Sequence, residues 1–190
     1  AAEHSESDAA YEALSARVEG EADPARRELL EDAFRLDRQR YELARSITDF
    51  TEEFLASLGQ TPEAEVRWPE ARITLSPRAR VVHTTHDWDA WIDQGDDAPA
   101  TPEVDDAFYL LQSTGRQVTP RRLSPFAALV LQAVEQPASL DDVVDQVEEA
   151  VSTGAQGPSR EWLEDRVTEQ LRQAYRAAFV VAENPVAAAQ

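Results

Sequence analysis

With 190 residues, 42% of them hydrophobic, the chain can bury one sizeable core, or a small domain plus a helical appendage, and it is too short for a large multidomain enzyme. Its 37 acidic residues against 18 basic ones give a formal charge of −19, and every basic residue is arginine; a surface this acidic repels phosphate backbones, which sets nucleic acid aside as a partner. The lack of cysteine removes disulfides, thiolate metal sites and cysteine nucleophiles, and the lack of a long apolar run or a basic leader points to the cytoplasm.

Residues 1–10 are small, polar and acidic and are expected to fray. A short helix follows over 11–19, with Tyr11, Leu14 and Val18 on one side and Gly20 as its stop. Asp23 as N-cap and Pro24 at the first helical position then open the strongest helical segment, which no glycine or proline interrupts before Gly59. Leu30, Phe34, Tyr41, Ala44, Ile47, Phe54 and Leu58 recur at helical spacing, while Leu29, Leu36, Leu43 and Phe50 form a second stripe. A helix of about 35 residues reaches roughly 50 Å, so residues 1–60 read as a helical arm that packs on its own domain or reaches another chain.

Residues 61–70 read as a linker, after which the period becomes alternating. Ile73 and Leu75, then Ala79, Val81 and His83, predict two short strands around Ser76-Pro77. Trp88, Trp91 and Ile92 share a helical face in a short turn, and 94–102 is a loop by composition. Strands over 108–111 and 116–118 flank Ser113-Thr114-Gly115 as a hairpin. Three helices complete the chain, capped by Ser124, Ser139 and Ser159, with 179–181 as a closing strand and 183–190 as a tail. The fold class is α+β: a long N-terminal helical arm, then a winged-helix-like domain over 71–182 in which short strands precede three helices.

The order ARITLSPRARVV, DWDAW, FYLLQSTGRQVTPRRLSPFAALVLQAV and SLDDVVDQVEEAV, followed by an amphipathic helix, resembles the C-terminal domain of accessory proteins paired with multinuclear non-haem iron oxidative (MNIO) peptide-modifying enzymes. It is also similar to pyrroloquinoline-quinone-type peptide chaperones and other precursor-peptide recognition elements. The resemblance covers 68–181. It implies a non-catalytic protein that binds the leader of a ribosomally made precursor peptide and presents it to a separate iron-dependent enzyme, with no cofactor of its own.

Between Ala107 and Val134 there is no Asp or Glu, yet Arg116, Arg121 and Arg122 fall in that window, a basic island in an acidic chain. The resemblance puts a peptide groove between the wing strand and the last helix. Val118 and Trp162 are then apolar walls, and Arg116, Arg121, Arg122 and Arg166 pair with acidic side chains of the leader, while main-chain bonds to the strand supply affinity. Trp88, Trp91, Phe50 and Phe54 are the candidate enzyme-docking aromatics. Trp68, Trp88 and Trp91 also read as a small core around the linker.

His83 and His86, with Asp87 and Asp89 nearby, are ligand types for zinc or iron, but they straddle a strand end and no metal site is assigned. No catalytic residue is assigned, for no phosphate loop or Ser/His/Asp arrangement stands out. A transcriptional regulator dimerising through 24–58, or a scaffold subunit, are the alternatives. The helix over 140–151 carries Asp141, Asp142, Asp145, Glu148 and Glu149 and no arginine, which disfavours DNA reading.

Overall fold

The computed structural model describes residues 2–48, 61–94, 101–113, 117–152 and 157–185. Within them the chain is α+β. Helix α1 (Ala2–Glu19) and helix α2 (Pro24–Thr48) form a hairpin. A 3₁₀ turn (Glu63–Glu65) leads to strands β1 (Arg72–Leu75) and β2 (Ala79–Asp87), the short helix α3 (Asp89–Gln94), and strands β3 (Glu103–Ser113) and β4 (Val118–Leu123). Helices α4 (Pro125–Ala133), α5 (Leu140–Val151) and α6 (Arg160–Arg176) and strand β5 (Val180–Glu183) follow.

Helix α1 begins nine residues before the expected Tyr11, because the alanines and glutamates of the opening segment are good helix formers whatever their polarity. Its Tyr11 donates to Asp37 of α2 at 2.8 Å and packs its ring 4.8 Å from Tyr41 and 5.8 Å from Phe34. Asp23 caps α2 by accepting the Ala25 N–H at 3.0 Å. The two apolar stripes of α2 have different partners. Phe34 and Tyr41 meet α1, while Leu29, Leu36 and Leu43 lie on the sheet, with Leu43 fully buried. Residues 49–60, and with them Phe50, Phe54 and the expected continuation to Gly59, lie outside the described residues.

Two antiparallel sheets organise the rest. Strands β2, β3 and β4 form one in that order, and β1 pairs with β5 in another. The two strands flanking Ser76-Pro77 therefore part company. β1 pairs Ile73 with Ala182, and its other side bonds to the α4–α5 connection through Ile73 and Ala138 and through Leu75 N–H to Val134 O. Strand β3 starts at Glu103 rather than near 108, through a stretch of acidic residues that are normally depleted in strands. Strand β4 runs on to Leu123 through Pro120, a residue that counts against a strand in sequence.

The sheet divides the interior into two clusters. On one side α4, α5 and α6, with β1 and β5, surround Leu110, Val130, Val143, Leu163, Val167 and Leu171. Ser124, Ser139 and Ser159 cap these helices as expected, Ser139 and Asp142 forming a reciprocal capping box. On the other side Leu36 and Leu43 of α2 meet Val82, Trp88, Ala107, Tyr109 and Leu111. Residues 61–70 are fastened down. Val66 and Trp68 enter the larger cluster, Trp68 sits edge-on to Tyr175 at 5.7 Å, and Arg176 holds Glu63 at 2.6 and 2.8 Å. Trp68 thus parts from Trp88 and Trp91, which belong to the other side of the sheet. Among the described residues no helix is long and apolar enough to cross a membrane.

Candidate functional site

Among the described residues strand β4 is an edge of its sheet, and its register fixes which way its main-chain groups face. Ser113 N–H donates to Arg78 O at 2.9 Å, so Ser113 directs its main-chain groups toward β2. Leu111 and Tyr109 do the same by alternation, leaving Phe108, Leu110 and Gln112 to bond β4. Their register partners are Leu123, Arg121 and Thr119. Val118, Pro120 and Arg122 therefore turn their main-chain groups to the open side. Proline has no N–H, so the free edge offers donors at Val118 and Arg122 with a gap between them. A proline on an edge strand faces its missing donor outward for this reason, and it blunts indiscriminate pairing.

The same alternation puts the side chains of Val118, Pro120 and Arg122 on the α2 face and those of Arg121 and Leu123 on the α4 face, where Leu123 packs against the larger cluster. Beside Val118 and Pro120 runs an open groove of about 770 Å³ between β4, α2 and α3. Its apolar lining includes Leu36, Ala44, Trp88, Trp91 and Ile92, and Tyr41, Asp37 and Arg40 form the polar margin along α2. Trp88 and Trp91 meet edge-on at 6.0 Å. Trp91 is 38% exposed, whereas Trp88 is only 7% exposed and its indole N–H has no hydrogen-bond partner among the described residues.

Beyond Pro120, Arg122 is gripped by three carboxylates. Its guanidinium bonds Asp87, Asp89 at 3.3 Å and Asp105 at 2.8 Å. Partial burial opposes the charge of Asp87, but the Asp89 N–H, the Tyr109 hydroxyl and Arg122 outweigh it and hold the carboxyl below its ordinary value. Burial pushes the Tyr109 phenol well above its usual range, and the charges of Asp89 and Asp87 add to this against the Trp88 N–H that the phenol oxygen accepts at 2.7 Å. The three acids likewise raise the Arg122 pKa, overriding the opposing effect of burial.

Helix α2 is positioned over the sheet by a second polar cluster. A bulge between Thr84 and His86 in β2 exposes two successive N–H groups. The buried Asp32 carboxylate accepts from Thr85 N–H at 2.6 Å, Thr85 hydroxyl at 3.1 Å and His86 N–H at 2.9 Å, and meets His86 Nδ1 at 3.0 Å. Arg80 reaches Gln39 at 2.7 Å and Glu42 at 3.1 Å farther along α2. His83 instead pairs with Asp106 at 3.0 Å and stacks on Phe108, so the two histidines have separate carboxylate partners and do not converge.

The residues expected to bind peptide are dispersed. Arg116 lies outside the described residues. Val118 lines the groove, Arg122 is held by its acids, and Arg121 is exposed on the opposite face of β4. Trp162 and Arg166 form their own exposed pair near the start of α6, the guanidinium 5.8 Å from the ring centroid. Expected docking residues Trp88 and Trp91 instead share the groove with Val118. Asp32 and the α2 wall were missed in sequence; the signal was a charged residue on the sheet-facing side of an otherwise apolar stripe.

Compared with protein-family models and with curated proteins, the chain matches none.

Proposed function

We propose that this chain is a non-catalytic accessory protein that receives an extended peptide segment along the free edge of β4. The observation that carries the reading is an edge strand with two N–H groups that have no partner among the described residues, beside a groove walled by Trp88, Trp91, Ile92 and Val118. A peptide added there gains main-chain bonds from Val118 and Arg122 and buries alternate side chains against α2 and α3. The resemblance of 68–181 to the partner proteins of MNIO enzymes, with a three-stranded sheet followed by three helices, extends the proposal. The peptide is then the leader of a ribosomally made precursor, and the partner is an iron-dependent modifying enzyme. Trp162 under Arg166 is the exposed aromatic available to that enzyme, since Trp and Arg anchor interfaces.

The test is fluorescence polarisation with labelled peptides encoded beside the gene, using the wild type and Val118→Pro. The Val118 N–H points away from β3, so proline there removes an edge donor and spares the sheet's own ladder. Low-micromolar binding that weakens at least about tenfold, or 1.4 kcal/mol, in Val118→Pro supports the proposal. Binding that ignores Val118→Pro moves the site elsewhere, and no binding with the neighbouring enzyme present favours a scaffold subunit.

A further inference from the structure

The apolar groove and the acidic cluster around Arg122, two residues past Pro120 on the same face of β4, together specify a ligand. Resting on the reading above, we infer that the segment received along β4 carries a lysine or arginine two or four positions from an apolar residue. The side chains of Val118, Pro120 and Arg122 stand on one face of β4, and successive members of that set are two residues apart. A strand paired with β4 places the residue beside Val118 or Pro120 against Trp88, Trp91 and Ile92. Its next neighbours on that face lie beside Arg122.

There Asp87, Asp89 and Asp105 surround a single guanidinium, leaving two negative charges uncompensated among the described residues. Asp89 and Asp105 are 43% and 58% exposed, so an incoming ammonium or guanidinium reaches them without displacing Arg122. On the α2 margin of the groove Arg40 and Asp37 offset each other at 3.8 Å. An acidic residue placed beside Arg122 would meet three carboxylates already in possession of that arginine. Arg122, one of the three arginines of the basic island, is thus the anchor of an acidic receptor.

The experiment is selection from an mRNA-displayed library of random decapeptides against the wild type and against the Asp89→Arg, Asp105→Arg double variant. Winners on the wild type are expected to pair an apolar residue with Lys or Arg at the second or fourth position, and to weaken at least tenfold when that base becomes Gln. The double variant is expected to select Asp or Glu there; raised salt weakening the wild-type winners checks the same contact should that variant fold poorly. Neutral or acidic winners that still depend on Val118, by their loss in Val118→Pro, overturn the basic preference and leave the edge-strand reading standing. Winners indifferent to Val118→Pro, or none at all, overturn both.

Discussion

The two faces of the three-stranded sheet are built on different principles. The cluster under α4, α5 and α6 is composed of Ala, Val, Ile, Leu, Trp and Tyr, and its helices are closed by serine caps. The cluster under α2 is smaller and is bordered by buried Asp32, Thr84 and His86. Apolar burial is non-directional and supplies stability, whereas a carboxylate that must meet two particular N–H groups fixes where a helix sits. The first face is therefore the foundation. The second is the one that holds a groove open, because α2 is registered on β2 by hydrogen bonds rather than by sinking fully onto the sheet.

The comparison breaks most severely in the foundation. Leu163 is fully buried, and Leu163→Ala is expected to lower stability by about 2–5 kcal/mol through lost transfer energy and the cavity left behind. Urea denaturation should show the whole transition moving. Asp32→Ala comes next, at about 3 kcal/mol, because it strands the Thr85 and His86 donors in a buried site. Here hydrogen exchange should loosen α2 and β2 while α5 and α6 keep their protection. Equal loosening everywhere would erase the distinction between the two faces.

The acidic cluster around Arg122 gives a subtler test. The Asp87 carboxyl is held below its ordinary value in the folded protein, so its contribution is fully present above the unfolded carboxylate pKa of about 3.9 and is lost as pH falls through the lower folded value. Melting temperature should accordingly drop on acidification below about pH 4. Arg122→Ala should shrink that part of the dependence, since it removes one of the groups that favour the Asp87 charge. Smallest in stability is Trp91→Ala, expected to change it by less than about 1 kcal/mol because the ring is partly exposed, while peptide affinity falls at least about tenfold. A large loss of stability would make Trp91 a core residue instead of a wall of the groove.

The foundation was legible because its signals are local. Ser124-Pro125, Ser139 with Asp142, and Ser159 announce helix starts, and the apolar period inside each helix names its buried face. The groove was less legible, since it depends on which face of β4 each residue takes and on what covers that face. Pro120 hid the continuation of the strand past Val118, and with it went the alternation that separates Arg121 from Arg122. A count of charges along 107–134 sees a basic island; only folding brings Asp87, Asp89 and Asp105 from other elements to Arg122. Likewise, nothing adjacent to Asp32 in the chain predicts that a bulge at Thr85 will supply its donors.

Amide hydrogen exchange at β4, followed by NMR with and without a selected peptide, addresses the central claim most directly. Thr119 and Arg121 bond β3 and should be protected in both states, whereas Val118 and Arg122 face the open edge and should exchange fast alone and slowly with peptide bound. Peptide binding that leaves both of those amides unprotected would contradict the account.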